Sequence, residues 1–161
     1  VDKTNLRQYV EQVLQRKKIK CSCIRCREIK ARVVIKKDVI FSTITYDASG
    51  GSEFFIAAED KSEDCIIGFC RLRFPSTSLR KEITKDSALI RELHVYGPAV
   101  EIGRKGFSQH KGIGETLLKN AEEIAKTNKK KKMVIISGIG VREYYKKHGY
   151  KKEGVYMVKR I

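Results

Sequence analysis

Apolar residues in this chain follow two rhythms. Near the start, Leu6, Tyr9, Val10, Val13 and Leu14 recur at helical spacing behind Thr4, a residue type that caps helices. Residues 31–38 and 39–46 are rich in Val, Ile and Thr and read as strands, followed by a turn over Asp47, Ala48, Ser49, Gly50, Gly51 and Ser52. Residues 54–58 and 66–73 form a hairpin across residues 59–64. Residues 75–86 read as loop and 88–96 as a further strand. After Gly114, Leu117, Leu118, Ala121, Ile124 and Ala125 restore helical spacing and predict a long amphipathic helix. Met133, Val134, Ile135 and Ile136 read as a short buried strand. A second helix then carries Arg142, Tyr144 and Tyr145, and a last strand follows Gly149 and Tyr150. No repeat or low-complexity tract interrupts the order.

At 161 residues the chain suits one compact domain with a real core. It enters directly into a helix at its first residues, which suggests a piece of a longer polypeptide. No apolar run approaches membrane-spanning length and no leader pattern is present, so a cytoplasmic protein without a membrane partner is expected, its five cysteines reduced. Lys and Arg number 35 against 19 Asp and Glu, a net charge of +16. That excess favours a polyanion such as nucleic acid through counterion release, although a generally lysine-rich proteome would also produce it. The surplus gathers at residues 16–20, 25–32 and 129–132; the last block is a solvated helix end, and the first two are the better nucleic-acid candidates.

Three groups of residues carry candidate chemistry. Gln109, His110, Lys111, Gly112, Ile113 and Gly114 form a glycine-rich loop that opens the long helix, where free N–H groups and close backbone approach suit a pyrophosphate. Cys21, Cys23 and Cys26 make a C-x-C-x-x-C cluster able to offer three thiolates to one metal. A closed zinc site needs a fourth ligand. Cys65 and Cys70 are the remaining thiols and His94 a weaker option. Strand alternation puts Cys65 and Cys70 on opposite faces, and Cys70 is preferred; plain reduced cysteines in a basic loop are the alternative. Glu92 is the leading carboxylate, as a base or an orienting group, or else an ion-pair partner of Arg91 or Arg71. By alternation His94 shares its face.

The order of strand, glycine loop, long helix, strand, short helix with paired tyrosines and Gly-Tyr resembles the GNAT acetyltransferase superfamily. It implies an α/β GNAT fold, a mostly antiparallel central sheet flanked by helices. In that family the loop, here residues 109–114 with Glu115 beside it, holds the acetyl-CoA pyrophosphate. Backbone N–H groups of Leu93, His94 and Val95 polarise the thioester carbonyl. A tyrosine protonates the leaving thiolate, a role that falls on Tyr145 with Tyr144 as competitor. Two helices normally follow the first strand of such domains; nothing between residues 31 and 56 reads as helical, which suggests an open, strand-rich acceptor side.

Residues 90–97 (IRELHVYG), the glycine loop, residues 137–145 (SGIGVREYY) and the cysteine motif together resemble the C-terminal acetyltransferase domain of Elongator catalytic subunits. The resemblance implies acetyl-CoA-dependent modification at C5 of the wobble uridine of tRNA, with tRNA-stimulated acetyl-CoA hydrolysis. It also implies an upstream radical-SAM domain of the same polypeptide, which would hold the iron–sulfur cluster and S-adenosylmethionine; the C-x3-C-x2-C motif for that cluster is absent here. Residues 1–30 are then a helix and cysteine-rich linker with structural zinc, residues 31–161 the GNAT domain, and other Elongator subunits or a second copy possible partners. Two alternatives stand beside this reading: a histone lysine acetyltransferase, disfavoured because a strongly cationic chain docks poorly on a cationic tail, and a non-catalytic CoA- and tRNA-binding module.

Overall fold

The computed structural model describes residues 5–29, 39–78, 80–96 and 112–161. The expectations placed on Thr4, residues 31–38 and residues 109–111 lie outside them.

Helix α1, Leu6–Arg16, and the single turn α2, Ile24–Arg27, precede seven strands: β1 Val39–Ala48, β2 Gly51–Asp60, β3 Cys65–Phe74, β4 Ser87–Val95, β5 Lys132–Ile135, β6 Lys151–Glu153 and β7 Tyr156–Arg160. Helix α3, Ile113–Thr127, joins β4 to β5. A 3-10 turn, Ile139–Val141, leads into α4, Arg142–Lys147. The strands form one sheet in the order β1-β2-β3-β4-β5-β7-β6, antiparallel throughout except for β4 beside β5. The expected single last strand is a hairpin instead. Gly154, at φ +59, allows the chain to reverse, and β7 inserts between β5 and β6.

Between β1 and β2 the expected six-residue turn shrinks to Ser49 and Gly50, both left-handed at φ 47 and 69, as a two-residue hairpin requires. The absence of helices at this point follows directly. Leu117, Leu118, Ala121 and Ala125 of α3 pack with Ile56, Ala58, Cys70, Leu72, Ile90 and Met133 on one face of the sheet, and this is the main core. On the opposite face Ala57, Ile66 and Phe69 form a smaller cluster against which Ile24 of α2 packs. Ile83, from the loop before β4, covers Leu89, Val134 and Val158 on that face further along.

Two bulges shift the register. Glu59 faces Ile66 and Ala58 faces Gly68, which leaves Ile67 as an extra residue of β3. The bulge reverses the alternation, so Cys65 and Cys70 share one face and one core cluster, correcting the expectation of opposite faces. Ile66 and Ile67 both turn their carbonyls away from β2. Ile66 accepts from the Ile29 N–H at 3.1 Å and Ile67 from the Tyr96 N–H at 2.8 Å. The linker is thereby built into the sheet, with Ile29 fully buried. In β4, Arg71 faces Glu92 and Leu72 faces Ile90, so Arg91 is the extra residue.

Helix α1 keeps the expected apolar stripe, but Leu6, Tyr9 and Val10 remain exposed. No helix among the described residues is long and apolar enough to cross a membrane.

Candidate functional site

Pairing of β4 with β5 stops at Ile90 opposite Ile135, followed only by the Ile136 N–H donating to the Ile90 carbonyl at 3.1 Å. Residues 91–95 therefore run on without a β5 neighbour, and the sheet splits. A cavity of about 370 Å³ opens at the split, lined by Leu93 and Val95 of β4, Gly112, Gly114 and Glu115 at the start of α3, and Val141, Tyr144, Tyr145 and His148 around α4. A larger hollow of about 730 Å³ lies between α1 and the charged side chains Arg25 and Glu28. It is a gap between linker elements, remote from the residues with candidate chemistry.

Gly112 starts α3 with φ +94 and no side-chain cap, and the first helical bond runs from the Thr116 N–H to its carbonyl at 2.9 Å. The N–H groups of Ile113, Gly114 and Glu115 thus have no acceptor within the helix, and Gly112, Gly114 and Glu115 line the cavity, a helix start suited to an anion. Glu115 itself is drawn aside: its carboxylate pairs with Lys119 at 2.7 Å, which holds its pKa below the usual value. A Cβ on Gly114 would stand 3.2 Å from the Tyr144 hydroxyl and 3.5 Å from Val95, so glycine keeps the mouth open between β4 and α4.

The two tyrosines differ. Tyr145 is a core residue, 5% exposed, edge-on to Tyr150 at 6.0 Å; burial, with smaller contributions from Cys70 and Tyr144, pushes its pKa up to about 12. Tyr144 sits nearer the mouth, edge-on to both Tyr145 and His148 at 5.2 and 4.7 Å, and burial and Glu115 raise its pKa. Its hydroxyl is buried and has no hydrogen-bond partner among the described residues. A buried phenol without a partner costs about 1–3 kcal/mol, and a ligand in the cavity would recover part of that.

Of the expected site residues, the structure brings Leu93, Val95, Gly112, Gly114, Glu115, Tyr144 and Tyr145 together, with Ile113 buried at the same helix start. Glu92 and His94 lie on the other face of β4, opposite Arg71 and Phe69. Glu92 is exposed and its carboxylate is 3.8 Å from Arg71; Arg91 pairs with Glu53 instead. Gln109, His110 and Lys111 are outside the described residues. Val141 and His148 were not anticipated in the lining. His148 ends α4, and only the fold turns its ring toward Tyr144.

Cys21, Cys23 and Cys26 bring their sulfurs within 4.8 Å of one another. A hydrogen bond from the Cys26 backbone lowers Cys23 to about 7, and Arg7 donates to the Cys26 sulfur at 3.4 Å. Cys70, the preferred fourth ligand, does not join them. It is fully buried in the main core, and burial drives its thiol up to about 12, because an apolar interior penalises the thiolate. Among the described residues the cluster has three members.

Comparisons with known proteins agree with this geometry. The profile of the acetyltransferase (GNAT) family matches residues 33–150. A tRNA uridine(34) acetyltransferase of Methanocaldococcus infernus is 44% identical over 172 aligned residues, which take in 100% of this chain and 32% of that protein. Elongator complex protein 3 of Schizosaccharomyces pombe is 41% identical over 99% of this chain and 31% of its own length. The structure of Methanocaldococcus infernus Elp3 with an N-terminus deletion superimposes with a TM-score of 0.85 and 42% identity, covering 99% of this chain and 40% of that one. The chain thus spans about a third of the length of the curated relatives it matches.

Proposed function

This chain belongs to the acetyltransferase (GNAT) family, and from that premise we propose that it binds acetyl-CoA and releases its acyl group within an enzyme that modifies C5 of the wobble uridine in tRNA. The observation that carries the proposal is the split between β4 and β5, with the start of α3 on one side and Tyr144 and Tyr145 on the other. The whole-chain similarity to tRNA uridine(34) acetyltransferases supports the choice of tRNA as acceptor.

In this reading the N–H groups at the start of α3 and the loop at residues 109–114 receive the pyrophosphate, and the thioester enters the split. Backbone N–H groups of Leu93 and Val95, no longer bound by β5, polarise the carbonyl, while that of His94 is on the side paired with β3. Water attacks the carbonyl carbon and the C–S bond breaks. Tyr145 supplies a proton to the sulfur and regains one from the attacking water, whose second proton goes to solvent, so the products are acetate, a proton and the CoA thiol. Formation of the carbon–carbon bond at uridine C5 belongs to the radical-SAM partner domain implied by the family, and Glu92 is not needed as a base. A lysine acetyltransferase remains the second reading. The +16 charge disfavours it, because a histone tail would meet repulsion.

Hydrolysis of acetyl-CoA by the chain, followed by thiol release, tests this. Turnover is expected to rise at least tenfold with tRNA at low salt and to fall steeply between 50 and 200 mM salt, as on the order of several phosphate contacts require. Equal stimulation by a histone-tail peptide would favour the second reading instead.

We also propose that Cys21, Cys23 and Cys26 hold a structural zinc ion. Three closely spaced soft thiolates fit zinc, and the ion would tie the linker to the sheet through Ile29. Elemental analysis should find about one zinc per chain. Cys23→Ser with Cys26→Ser should abolish it, whereas Cys70→Ser should leave it unchanged. Zinc retained in the double variant would refute the site.

A further inference from the structure

The face of the sheet opposite α3 carries a surface that the acyl cleft does not use. Phe55 of β2, Phe69 of β3, and His94 and Tyr96 at the end of β4 lie side by side across adjacent strands. Phe55 and Phe69 are stacked with centroids 5.4 Å apart, Phe69 and His94 at 6.0 Å, and His94 meets Tyr96 edge-on at 4.5 Å. Phe69 is the buried floor of this row, His94 is exposed, and Phe55 and Tyr96 are half-buried. Arg71 and Arg91 flank the row with 34% and 43% of their side chains exposed. Buried Glu53 accepts from both Arg91 and Arg73 through one oxygen, at 2.7 and 2.8 Å, and fixes those guanidiniums along the sheet.

Two further features point to the occupant. The two-residue turn at Ser49 and Gly50 leaves no helix between the first two strands, so among the described residues this face of β2 is covered only near Ala57 and Glu59, where Ile24 and Arg27 of α2 meet it. The basic linker folds against the same face: Ile24 packs on the cluster containing Phe69, leaving Arg25 exposed beside it, with Lys17, Lys18 and Lys20 exposed upstream. Flat rings interleaved with guanidiniums, edged by a cationic segment, match a polyanion whose bases are unpaired.

We infer that this face is a single-strand RNA platform, in which Phe55, His94 and Tyr96 stack unpaired bases while Arg71, Arg91 and the linker engage phosphates. The inference rests on the tRNA reading and deepens it. His94 and Leu93 are consecutive residues on opposite faces of β4, so a base stacked on His94 lies against the strand whose other side lines the cleft. The platform would deliver an unpaired loop base to the open end of β4 without a deep pocket of its own.

Photocrosslinking is the direct test. A hairpin RNA with 5-iodouridine in its loop, bound to the chain at low salt and irradiated, should cross-link to peptides containing Phe55, His94 or Tyr96. His94→Ala should weaken hairpin binding about tenfold, with the salt slope unchanged and binding to a blunt duplex unaffected. Arg71→Gln should reduce the salt slope by about one. Cross-links confined to residues 16–27, with His94→Ala binding as tightly as the parent, would overturn the platform and leave the tRNA reading standing. No RNA binding at any salt would remove both.

Discussion

Tyr145→Phe should lower acetyl-CoA turnover by about a hundredfold while leaving KM and the melting temperature close to those of the parent. The expectation follows from where the phenol sits. Burial holds its proton to about 12, so it is a donor at every working pH. An ordinary thiolate would be too weak a base to take that proton. Partial transfer of the proton to the departing sulfur, in step with C–S cleavage, is therefore the expected form of its help. The protonated form is the active one, so the rate arm owed to Tyr145 should stay flat to pH 10 and fall only as pH rises towards 12. Stability has the same sign: the contribution is full below the unfolded value near 10 and is lost between about 10 and 12. Tyr144→Phe is the informative control. Its hydroxyl has no partner among the described residues, so removing it should stabilise the empty chain slightly. If Tyr144→Phe abolished turnover and Tyr145→Phe did not, the roles would be reversed.

The second large effect concerns stability. Glu122 on α3 is 7% exposed and accepts from the Tyr150 hydroxyl at 2.8 Å and from Lys159 of β7 at 2.9 and 2.8 Å. The Lys159 ammonium also lies 5.5 Å from the centre of the Tyr150 ring. This group is the polar fastening between α3 and the last strands. Glu122→Gln keeps the shape and a hydrogen-bond acceptor but leaves a partly buried ammonium without its counter-charge. A loss of about 2–3 kcal/mol is expected, lowering the melting temperature by roughly 5–10 °C. Lys159→Met combined with Glu122→Gln should lose less than the sum of the two single changes, because the unpaired charge is gone. A strictly additive pair would mean that the carboxylate and the ammonium act independently. Loss of this fastening should also weaken acetyl-CoA binding, since α3 carries the free N–H groups to the cleft.

Much of the architecture was legible because apolar spacing reports burial directly. Leu117, Leu118, Ala121 and Ala125 face the core as their spacing implies, and the β2–β3 hairpin falls where Phe54 and Ile66 put it. Bulges are not legible in this way. An extra residue at Ile67 leaves no mark in composition, yet it moved Cys65 to the face of Cys70, into the main core. The β6–β7 hairpin was not expected because β6, Lys151–Glu153, is three exposed charged residues with no apolar pattern; the apolar Tyr156, Met157 and Val158 of β7 mark only one strand. In the cleft, the glycines and tyrosines stood out by type and spacing. His148 did not, because a histidine that ends a helix is ordinary until the fold sets it against Tyr144. Glu122 was hidden for a related reason: a glutamate in an amphipathic helix reads as solvated until β7 brings Lys159 to it.

The bulge at Ile67 gives the molecule a mechanical linkage. In a regular strand, neighbouring carbonyls point to opposite sides; here those of Ile66 and Ile67 are both turned toward the row occupied by β4. One grips Ile29 at the end of the linker, the other grips Tyr96 at the end of β4. Linker and reactive strand are thus hung end to end from two consecutive links of the same chain. Arg27 shares the hold through Glu59 and Asp64, and the backbone at Ile29 bears on that kink, whose neighbouring carbonyl holds Tyr96, one residue beyond the strand that lines the cleft. The end of the linker and the mouth of the acyl site therefore share one anchorage, two adjacent peptide groups of β3.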